Sequence, residues 1–144
     1  LALAGNPVFR IDEIEKDREG PSYTADTVAE LRGRRPGDDF WLLVGGDVVR
    51  DLHLWYEPRR LVESAGLLVM PRPGAPAADA AELAARIGLS AVRLQTVEAP
   101  RIDIASRDLR RRAAEGRSLR YLLPRAVECF VRDKRLYTAG DAPA

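Results

Sequence analysis

Residues 40–58 read FWLLVGGDVVRDLHLWYEP, and this stretch decides the fold. It begins with an unbroken apolar run, too short to span a membrane and of the right length for a strand buried on both faces. Gly45, Gly46 and Asp47 follow at once, so the backbone can turn sharply and a ligand can approach it closely at the carboxyl end of the strand. Trp55 and Tyr56 come within reach of the same edge. The stretch therefore predicts one wall of a nucleotide pocket.

The composition is that of one compact domain with an ordinary core. Of the 144 residues, 46% are hydrophobic and 31% are charged. The formal net charge of +1 argues against a broad surface for nucleic acid or anionic lipid, so any anion site must be local. Cys129 is the single cysteine, which excludes an internal disulfide and a cysteine-rich metal site and suits the cytoplasm. The sequence contains no apolar run long enough to cross a bilayer, and we expect no membrane partner.

Strand and helix patterns alternate along the chain and predict an α/β fold. The predicted strands are residues 8–14, 40–44, 67–70 and 92–96. The predicted helices are one from an N-cap at Thr24 to about Arg32, one from Pro58 closed by Gly66, one over residues 77–87 capped by Gly88, one from an N-cap at Ser106 to Ala114, and one from Pro124. These spacings imply a mostly parallel sheet with helices on both faces. Residues 1–7 have the pattern of a helix end, so we expect further chain upstream of Leu1.

Two features near the first strand each allow a structural and a functional interpretation. The segment from Gly45 to Asp47 is equally typical of a simple turn with a helix cap and of a ligand-binding turn. Trp55 beside Tyr56 is commonly a core position, but its large π face could also stack on a flat ring.

Two further features could bind phosphate. Arg72 lies between two prolines that restrict the backbone, so its guanidinium is either solvated or pre-positioned for a phosphate. Ser106 with Arg107 and Arg110 at a predicted helix start combines free N–H groups, the positive end of the helix dipole and fixed cations. A capped helix with a solvated basic face explains the same residues.

No metal site built by the protein is predicted. His53 is the only histidine, lies between two leucines and is interpreted as structural. Cys129 falls on the apolar side of the last predicted helix and is expected in the core.

Taken together, these segments resemble the nicotinate-nucleotide adenylyltransferases of the nucleotidyltransferase α/β superfamily. The matching motifs run in order as GNPVF (5–9), GPSYTADT (20–27), GGD (45–47), Trp55, RPG (72–74), IASRDLR (104–110), EGR (115–117), RYLLP (120–124) and LY (136–137). Their order and spacing carry the resemblance. It implies a Rossmann-like nucleotidyltransferase domain over residues 1–137, incomplete at its N-terminal side, followed by a tail over residues 138–144.

The resemblance implies a binding site for nicotinate mononucleotide. Tyr23 and Thr24, at a helix start, would hold the nicotinate carboxylate largely through backbone donors. Trp55 would stack on the pyridine ring with Tyr56 beside it, and Arg72 would meet the mononucleotide phosphate.

The resemblance also implies a site for ATP, with Mg²⁺ bound to the ATP. Gly45 and Asp47 would contact the adenosine or ribose part, and Ile104, Ser106 and Arg110 would lie at the phosphates. The implied reaction is in-line attack of the mononucleotide phosphate on the α-phosphorus of MgATP, which gives nicotinate adenine dinucleotide and pyrophosphate without a covalent enzyme intermediate.

This sequence departs from the family pattern in two places. The family's Ile-Ser-Ser-Thr-x-Ile-Arg stands here as IASRDLR, so Ala105 replaces one hydroxyl and Arg107 replaces the threonine. The family's glycine-rich turn with paired histidines is not in these residues; its catalytic groups are expected upstream of Leu1, and no catalytic residue is assigned here.

Other functions stay open at this point. One is a non-catalytic nucleotide-binding or interaction domain derived from the same fold, and a second is a related enzyme that prefers the amide mononucleotide. RNA binding by the arginines after Ser106 lacks a broad basic footprint, so no nucleic-acid partner is expected. Homo-oligomerisation is left open.

Overall fold

The computed structural model describes residues 1–71, 77–98, 100 and 102–138. The described strands are β1 (Trp41–Gly45), β2 (Gly66–Met70) and β3 (Leu94–Thr96). The described helices are α1 (Thr24–Arg34), α2 (Gly46–Asp51), a short 3₁₀ helix (Leu52–Leu54), α3 (Pro58–Ser64), α4 (Ala80–Ile87), α5 (Ser106–Ala114) and α6 (Arg125–Asp133). The chain divides into two compact units: residues 13–100 hold α1 to α4 and the sheet, and residues 1–12 with the described residues after 101 hold α5 and α6.

The sheet of the larger unit is parallel, with strand order β1-β2-β3. Trp41 pairs with Gly66 and Val44 with Val69, and Leu67 pairs in turn with Leu94. Helices α2 and α3 connect β1 to β2, and α4 lies between β2 and β3 in the chain. Because parallel strands need crossover connections, this order is what alternating strands and helices produce. The predicted α/β fold with a parallel sheet is confirmed.

The main core packs helices against one face of this sheet. Side chains with the same pleat direction in β1 and β2 meet apolar residues of α2, the 3₁₀ helix, α3 and α4 in one cluster: Val44, Val49, Leu52, Val62, Leu67, Val69 and Leu83. Leu67 is fully buried. The apolar run that opens the 40–58 stretch therefore forms the strand on which the unit is built.

A second cluster joins α1 to α3. Ala25 and Val28 of α1 pack against Leu61 and Ala65, and Leu61 is fully buried. Trp55 packs against this cluster and against the main core. Burying a side chain such as Leu61 contributes about 1.5–3 kcal/mol, so this contact fixes where the two helices meet.

Gly66 was expected to close α3, and this prediction is wrong. The helix ends at Ser64, and Gly66 is the first residue of β2. A Cβ on Gly66 would lie 2.5 Å from Cε3 of Trp41, its partner on β1, so the glycine makes room for the indole. The indole is held from outside by a hydrogen bond from its Nε1 to Asp39 (2.9 Å) and by the guanidinium of Arg93, 4.6 Å from the ring centroid.

Residues 8–14 do not form a strand, contrary to prediction. Val8 and Ile11 are 79% and 76% exposed, and the Phe9 N–H donates to the nearby Asn6 carbonyl oxygen. Alternation of apolar and polar residues favours a strand only where a neighbouring strand accepts its hydrogen bonds and covers its apolar face. In residues 1–5 the backbone forms turns, and Gly5 has the positive φ (91°) that is typical of a helix end.

Two predicted helix boundaries are confirmed, but the expected burial of the first strand on both faces is wrong, because Leu43 of β1 is 57% exposed. Pro58 begins α3 and Gly88 caps α4 with φ 73°, as predicted. Cys129 on α6 is half-buried rather than fully in the core. Among the described residues, no helix has the length and apolar character that crossing a membrane would need.

Candidate functional site

The start of α1 and the segment before α3 form a shallow pocket of about 180 Å³. Its lining consists of Ser22, Tyr23, Thr24, Trp55 and Tyr56. The rings of Tyr23 and Tyr56 stack with their centroids 4.2 Å apart and an interplanar angle of 27°. Five residues were predicted for the mononucleotide site, and four of them lie in the described part of the chain. The structure brings these four together in one pocket. Arg72, the fifth, lies outside the described residues.

Thr24 was expected to cap α1, and this prediction is wrong by one position. Tyr23 is the N-cap, with extended backbone angles of −100° and 135°, and its side chain makes no capping hydrogen bond. The Tyr23 carbonyl accepts from the N–H groups of Asp26 and Thr27, both at 3.1 Å. The N–H groups at the start of the first turn have no acceptor within the helix, so the pocket borders the positive end of the α1 dipole.

Trp55 serves the core and the pocket at the same time. Its backbone N–H donates to the carbonyl oxygen of Leu52 at 3.0 Å. This hydrogen bond closes the 3₁₀ helix and fixes the point where the chain leaves it. The side chain is half-buried and packs against both apolar clusters, yet it lines the pocket beside the more exposed Tyr56. An aromatic wall anchored in the core is rigid, which suits stacking on a flat ring.

The carboxyl end of β1 leads directly into α2. Gly45 ends the strand and is the N-cap of the helix with φ −74° and ψ 153°, so its backbone is ordinary. A Cβ on buried Gly46 would meet Met70 O at 3.7 Å, an ordinary contact. Glycine at position 46 is therefore required neither by close neighbours nor by a positive φ. The sharp turn expected at Gly45 and Gly46 is not observed. Asp47 lies in the first turn of α2, with one carboxylate oxygen buried.

A second pocket was not predicted from the sequence. It measures about 270 Å³, and its lining residues come from α2, α4 and the segment before α4: Gly46, Val49, Arg50, Ala77, Ala78, Asp79, Glu82, Leu83 and Arg86. Several of its charged side chains bind one another or the backbone: Arg86 donates to Glu82 (2.6 Å) and to Arg50 O (3.3 Å). Asp79 accepts from the N–H groups of Ala81 and Glu82 and so caps α4.

In the smaller unit, α5 carries the residues predicted for the phosphates. Ser106 was expected as the N-cap, but it is the first helical residue, and Ala105 is the N-cap without a side-chain hydrogen bond. Ile104 and Ser106 are exposed. Because alanine has no side-chain hydrogen-bond acceptor, Ala105 leaves the N–H groups of the first turn without a side-chain cap.

The arginines of α5 divide into two groups. Arg111 pairs with Asp108 at 3.0 Å, and Arg112 donates to Ser118 O at 3.0 Å. Within the described residues, the exposed guanidinium groups of Arg107 and Arg110 have no recorded ion pair or hydrogen bond. Arg107 and Arg110 are thus the arginines of this helix that remain available to an external phosphate.

His53 has a structural contact: its Nδ1 lies 2.8 Å from Arg50 O. The described ranges contain no group of three or more His, Cys, Asp or Glu residues that could hold a metal ion.

Comparison with known proteins identifies the family through relatives rather than through a family model, since no family model matches the chain. The chain is 42% identical over 137 residues to a probable nicotinate-nucleotide adenylyltransferase of Thermus thermophilus. The match covers 95% of this chain and 68% of that protein. A protein of the same name from Geobacter sulfurreducens is 37% identical over 155 residues, which cover 95% of this chain and 70% of the relative.

Solved structures support the fold. The Plasmodium falciparum nicotinic acid mononucleotide adenylyltransferase complexed with APC matches with a TM-score of 0.62 and 14% identity, over 83% of this chain and 60% of that one. The same enzyme complexed with NaAD matches with a TM-score of 0.60, over 81% and 58%. The chain thus spans about three-fifths of these solved chains and two-thirds of the bacterial relatives. The identity and coverage of the bacterial relatives show that the chain belongs to the nicotinate-nucleotide adenylyltransferase family.

Proposed function

We propose that the protein carrying this chain transfers the adenylyl group of MgATP to nicotinate mononucleotide, giving nicotinate adenine dinucleotide and pyrophosphate in the biosynthesis of NAD. The observation that carries the proposal is the pocket at the start of α1. There, Tyr23, Thr24, Trp55 and Tyr56 combine aromatic faces with the positive end of a helix. Nicotinate is complementary to both features, because its flat π system can stack on the aromatic faces and its carboxylate can bind at the positive helix end.

The pocket favours the acid over the amide form of the substrate. A carboxylate can accept from the N–H groups of the first turn at Thr24 and gains from the helix dipole, whereas a neutral carboxamide gains less from the dipole. Such a contact contributes about 0.3–1 kcal/mol when exposed and up to about 2 kcal/mol when partly buried. Trp55 would stack on the pyridine ring, with Tyr56 beside it.

The ATP side of the proposal rests on Gly45 and Asp47 for the nucleoside and on Ile104, Ser106 and Arg110 for the phosphates. The phosphate oxygen of the mononucleotide would attack the α-phosphorus as the bond to the pyrophosphate oxygen breaks. Holding the two nucleotides in line supplies much of the acceleration, and cations stabilise the charge that develops on the phosphates. Arg110 has an exposed guanidinium suited to the second task.

Mg²⁺ is proposed to arrive as part of the substrate MgATP, coordinated by the phosphates. The described residues supply no carboxylate cluster that would hold it alone. We further propose a cytoplasmic enzyme that uses no nucleic-acid partner.

The direct test incubates the complete protein with MgATP and either mononucleotide and measures dinucleotide and pyrophosphate. We expect equimolar products and a higher kcat/KM for nicotinate mononucleotide than for the amide. Binding of the mononucleotide without turnover would favour the non-catalytic nucleotide-binding domain. A simpler check is the sequence preceding Leu1 in the complete protein: absence of a His-x-Gly-His segment would defeat the enzyme proposal.

A further inference from the structure

One arginine outside the aromatic pocket binds a carboxylate near each of its two walls, which are the start of α1 and the segment before α3. Arg60, in the first turn of α3, donates through one Nη to a carboxylate oxygen of Asp26 in the first turn of α1. Its other Nη donates to Glu57, the residue that directly follows Tyr56. Arg60 itself does not line the pocket.

Each carboxylate lies close in sequence to a pocket wall. Asp26 is two residues beyond Thr24 on the same helical turn, and Glu57 connects Tyr56 to α3. A planar guanidinium has donors in a fixed fork, so binding both carboxylates fixes their separation as well as their charge. The bridge therefore acts on the distance between the two walls.

The backbone at Glu57 makes this wall dependent on such support. Glu57 has φ 44° and ψ 55°, the left-handed conformation that is unfavourable for residues other than glycine. Because Pro58 follows, extended backbone would be the preferred state of Glu57. Contacts around Glu57 must over-determine this conformation, and the ion pair with Arg60 is one of them.

The apolar contact between the helices leaves a role for the bridge. Ala25 and Val28 pack on Leu61 and Ala65, which brings α1 and α3 together. The rings of Tyr23 and Tyr56 stack on each other, with their centroids 4.2 Å apart. A small rotation of α3 against α1 would preserve the apolar contact but shift Trp55 and Tyr56 relative to the N–H groups at the start of α1, which the ring and the carboxylate of the ligand must reach together.

We propose that Arg60 is a positioning residue for the mononucleotide: through Asp26 and Glu57 it fixes the segment that carries Trp55 and Tyr56 against the start of α1, without touching the ligand. This inference rests on the proposed function of the pocket. It assigns the relative position of the aromatic wall and the helix start, and hence affinity for the mononucleotide, to an ion-pair bridge outside the lining.

A merely structural ion pair makes a different prediction. The Arg60, Asp26 and Glu57 side chains are each about 40% exposed (41%, 38% and 42%), and exposed ion pairs contribute little to stability. Arg59 provides a matched control on the same helix, because it pairs with Glu63 within α3 at 2.9 Å and does not reach α1. If Arg60 only stabilises the fold, its loss should either match the loss of Arg59 or raise the KM values of both substrates together.

The experiment compares Arg60→Gln with Arg59→Gln in the complete enzyme. We expect Arg60→Gln to raise the KM for nicotinate mononucleotide roughly tenfold, with kcat and the KM for ATP changed less than about twofold. Arg59→Gln should leave all three unchanged, and both variants should have similar Tm. Arg60→Lys should recover part of the loss, because an ammonium keeps the charge but lacks the planar fork.

A double-mutant cycle tests the bridge itself. Asp26→Asn combined with Arg60→Gln should cost no more than the larger single change, because the two residues act through one contact. The inference is overturned if Arg60→Gln matches Arg59→Gln, or if both KM values rise together. These outcomes require an active unaltered enzyme; an unaltered complete protein that forms no dinucleotide would instead refute the proposed function.

Discussion

Replacing Gly66 with alanine tests why β2 begins with a glycine. The new Cβ would lie 2.5, 2.6 and 2.9 Å from three atoms of the Trp41 indole, closer than carbon atoms normally approach. The indole cannot swing away freely, because Asp39 accepts its N–H and Arg93 covers its face. The strain must therefore move β1, β2 or both.

The expected cost follows from similar overpacking in protein cores. Inserting a methyl group into a filled space typically costs about 1–3 kcal/mol. In a chain of this length each kcal/mol lowers Tm by about 2–4 °C, which thermal unfolding followed by circular dichroism resolves easily. Gly37→Ala is the matched control, since a Cβ on Gly37 would meet nothing within 4 Å.

A second substitution makes the test specific to Trp41. In a Trp41→Val background the same Gly66→Ala change should cost much less, because the clashing ring is gone. If Gly66→Ala lowers Tm no more than Gly37→Ala, or by the same amount with and without the indole, the packing explanation is wrong.

Two further predictions concern single charged groups. Hydrogen bonds from Arg93 and then from the Trp41 indole lower the pKa of Asp39 below its ordinary 3.8, so ionised Asp39 stabilises the fold above that pH and the benefit is lost as the pH falls through the lowered value. The Tm advantage over Asp39→Asn should accordingly be small but constant from pH 5 to 7 and disappear in strong acid; an advantage that grows in acid would contradict the assignment. Arg110→Ala should raise the KM for ATP about 10- to 150-fold, because one charge-assisted phosphate contact of about 1.5–3 kcal/mol is lost, and leave the KM for the mononucleotide nearly unchanged. Arg111→Ala, whose guanidinium already pairs with Asp108, serves as its control, and equal ATP kinetics in both variants would remove Arg110 from the phosphate site.

The parts of the fold that were predictable from the sequence are those with strong local signals. The apolar runs at residues 40–44 and 67–70 became β1 and β2, Pro58 began α3, and Gly88 capped α4. In each case burial or backbone stereochemistry favours the same structure that the local pattern indicates.

The errors occurred where structure depends on a distant partner or on one residue of register. Residues 8–14 alternate like a strand, but their apolar side chains are exposed. Thr24 and Ser106 are better caps than Tyr23 and Ala105, yet each helix starts one residue earlier than cap preference suggests. Gly66 looked like a helix terminator because nothing in the local sequence shows that Trp41 packs over it.

The candidate pocket was predictable as a set of residues but not as a geometry. The family resemblance named Tyr23, Thr24, Trp55 and Tyr56, and the structure brings them into one pocket. No sequence pattern indicated the stacked tyrosines, the left-handed Glu57 or the Arg60 bridge, since these depend on how α1 packs against α3. Their roles in binding stay predictions.

The most direct test of the pocket is the effect of Trp55→Ala on the two substrates of the complete enzyme. Because Trp55 also packs against both apolar clusters, general loss of structure would raise both KM values together, so the ratio between them is the informative quantity. Loss of stacking on one ring is worth about 1–3 kcal/mol, which predicts that the KM for nicotinate mononucleotide rises roughly 5- to 150-fold more than the KM for ATP. An equal rise in both KM values would show that Trp55 belongs to the core alone and would contradict the assignment of this pocket to the pyridine ring.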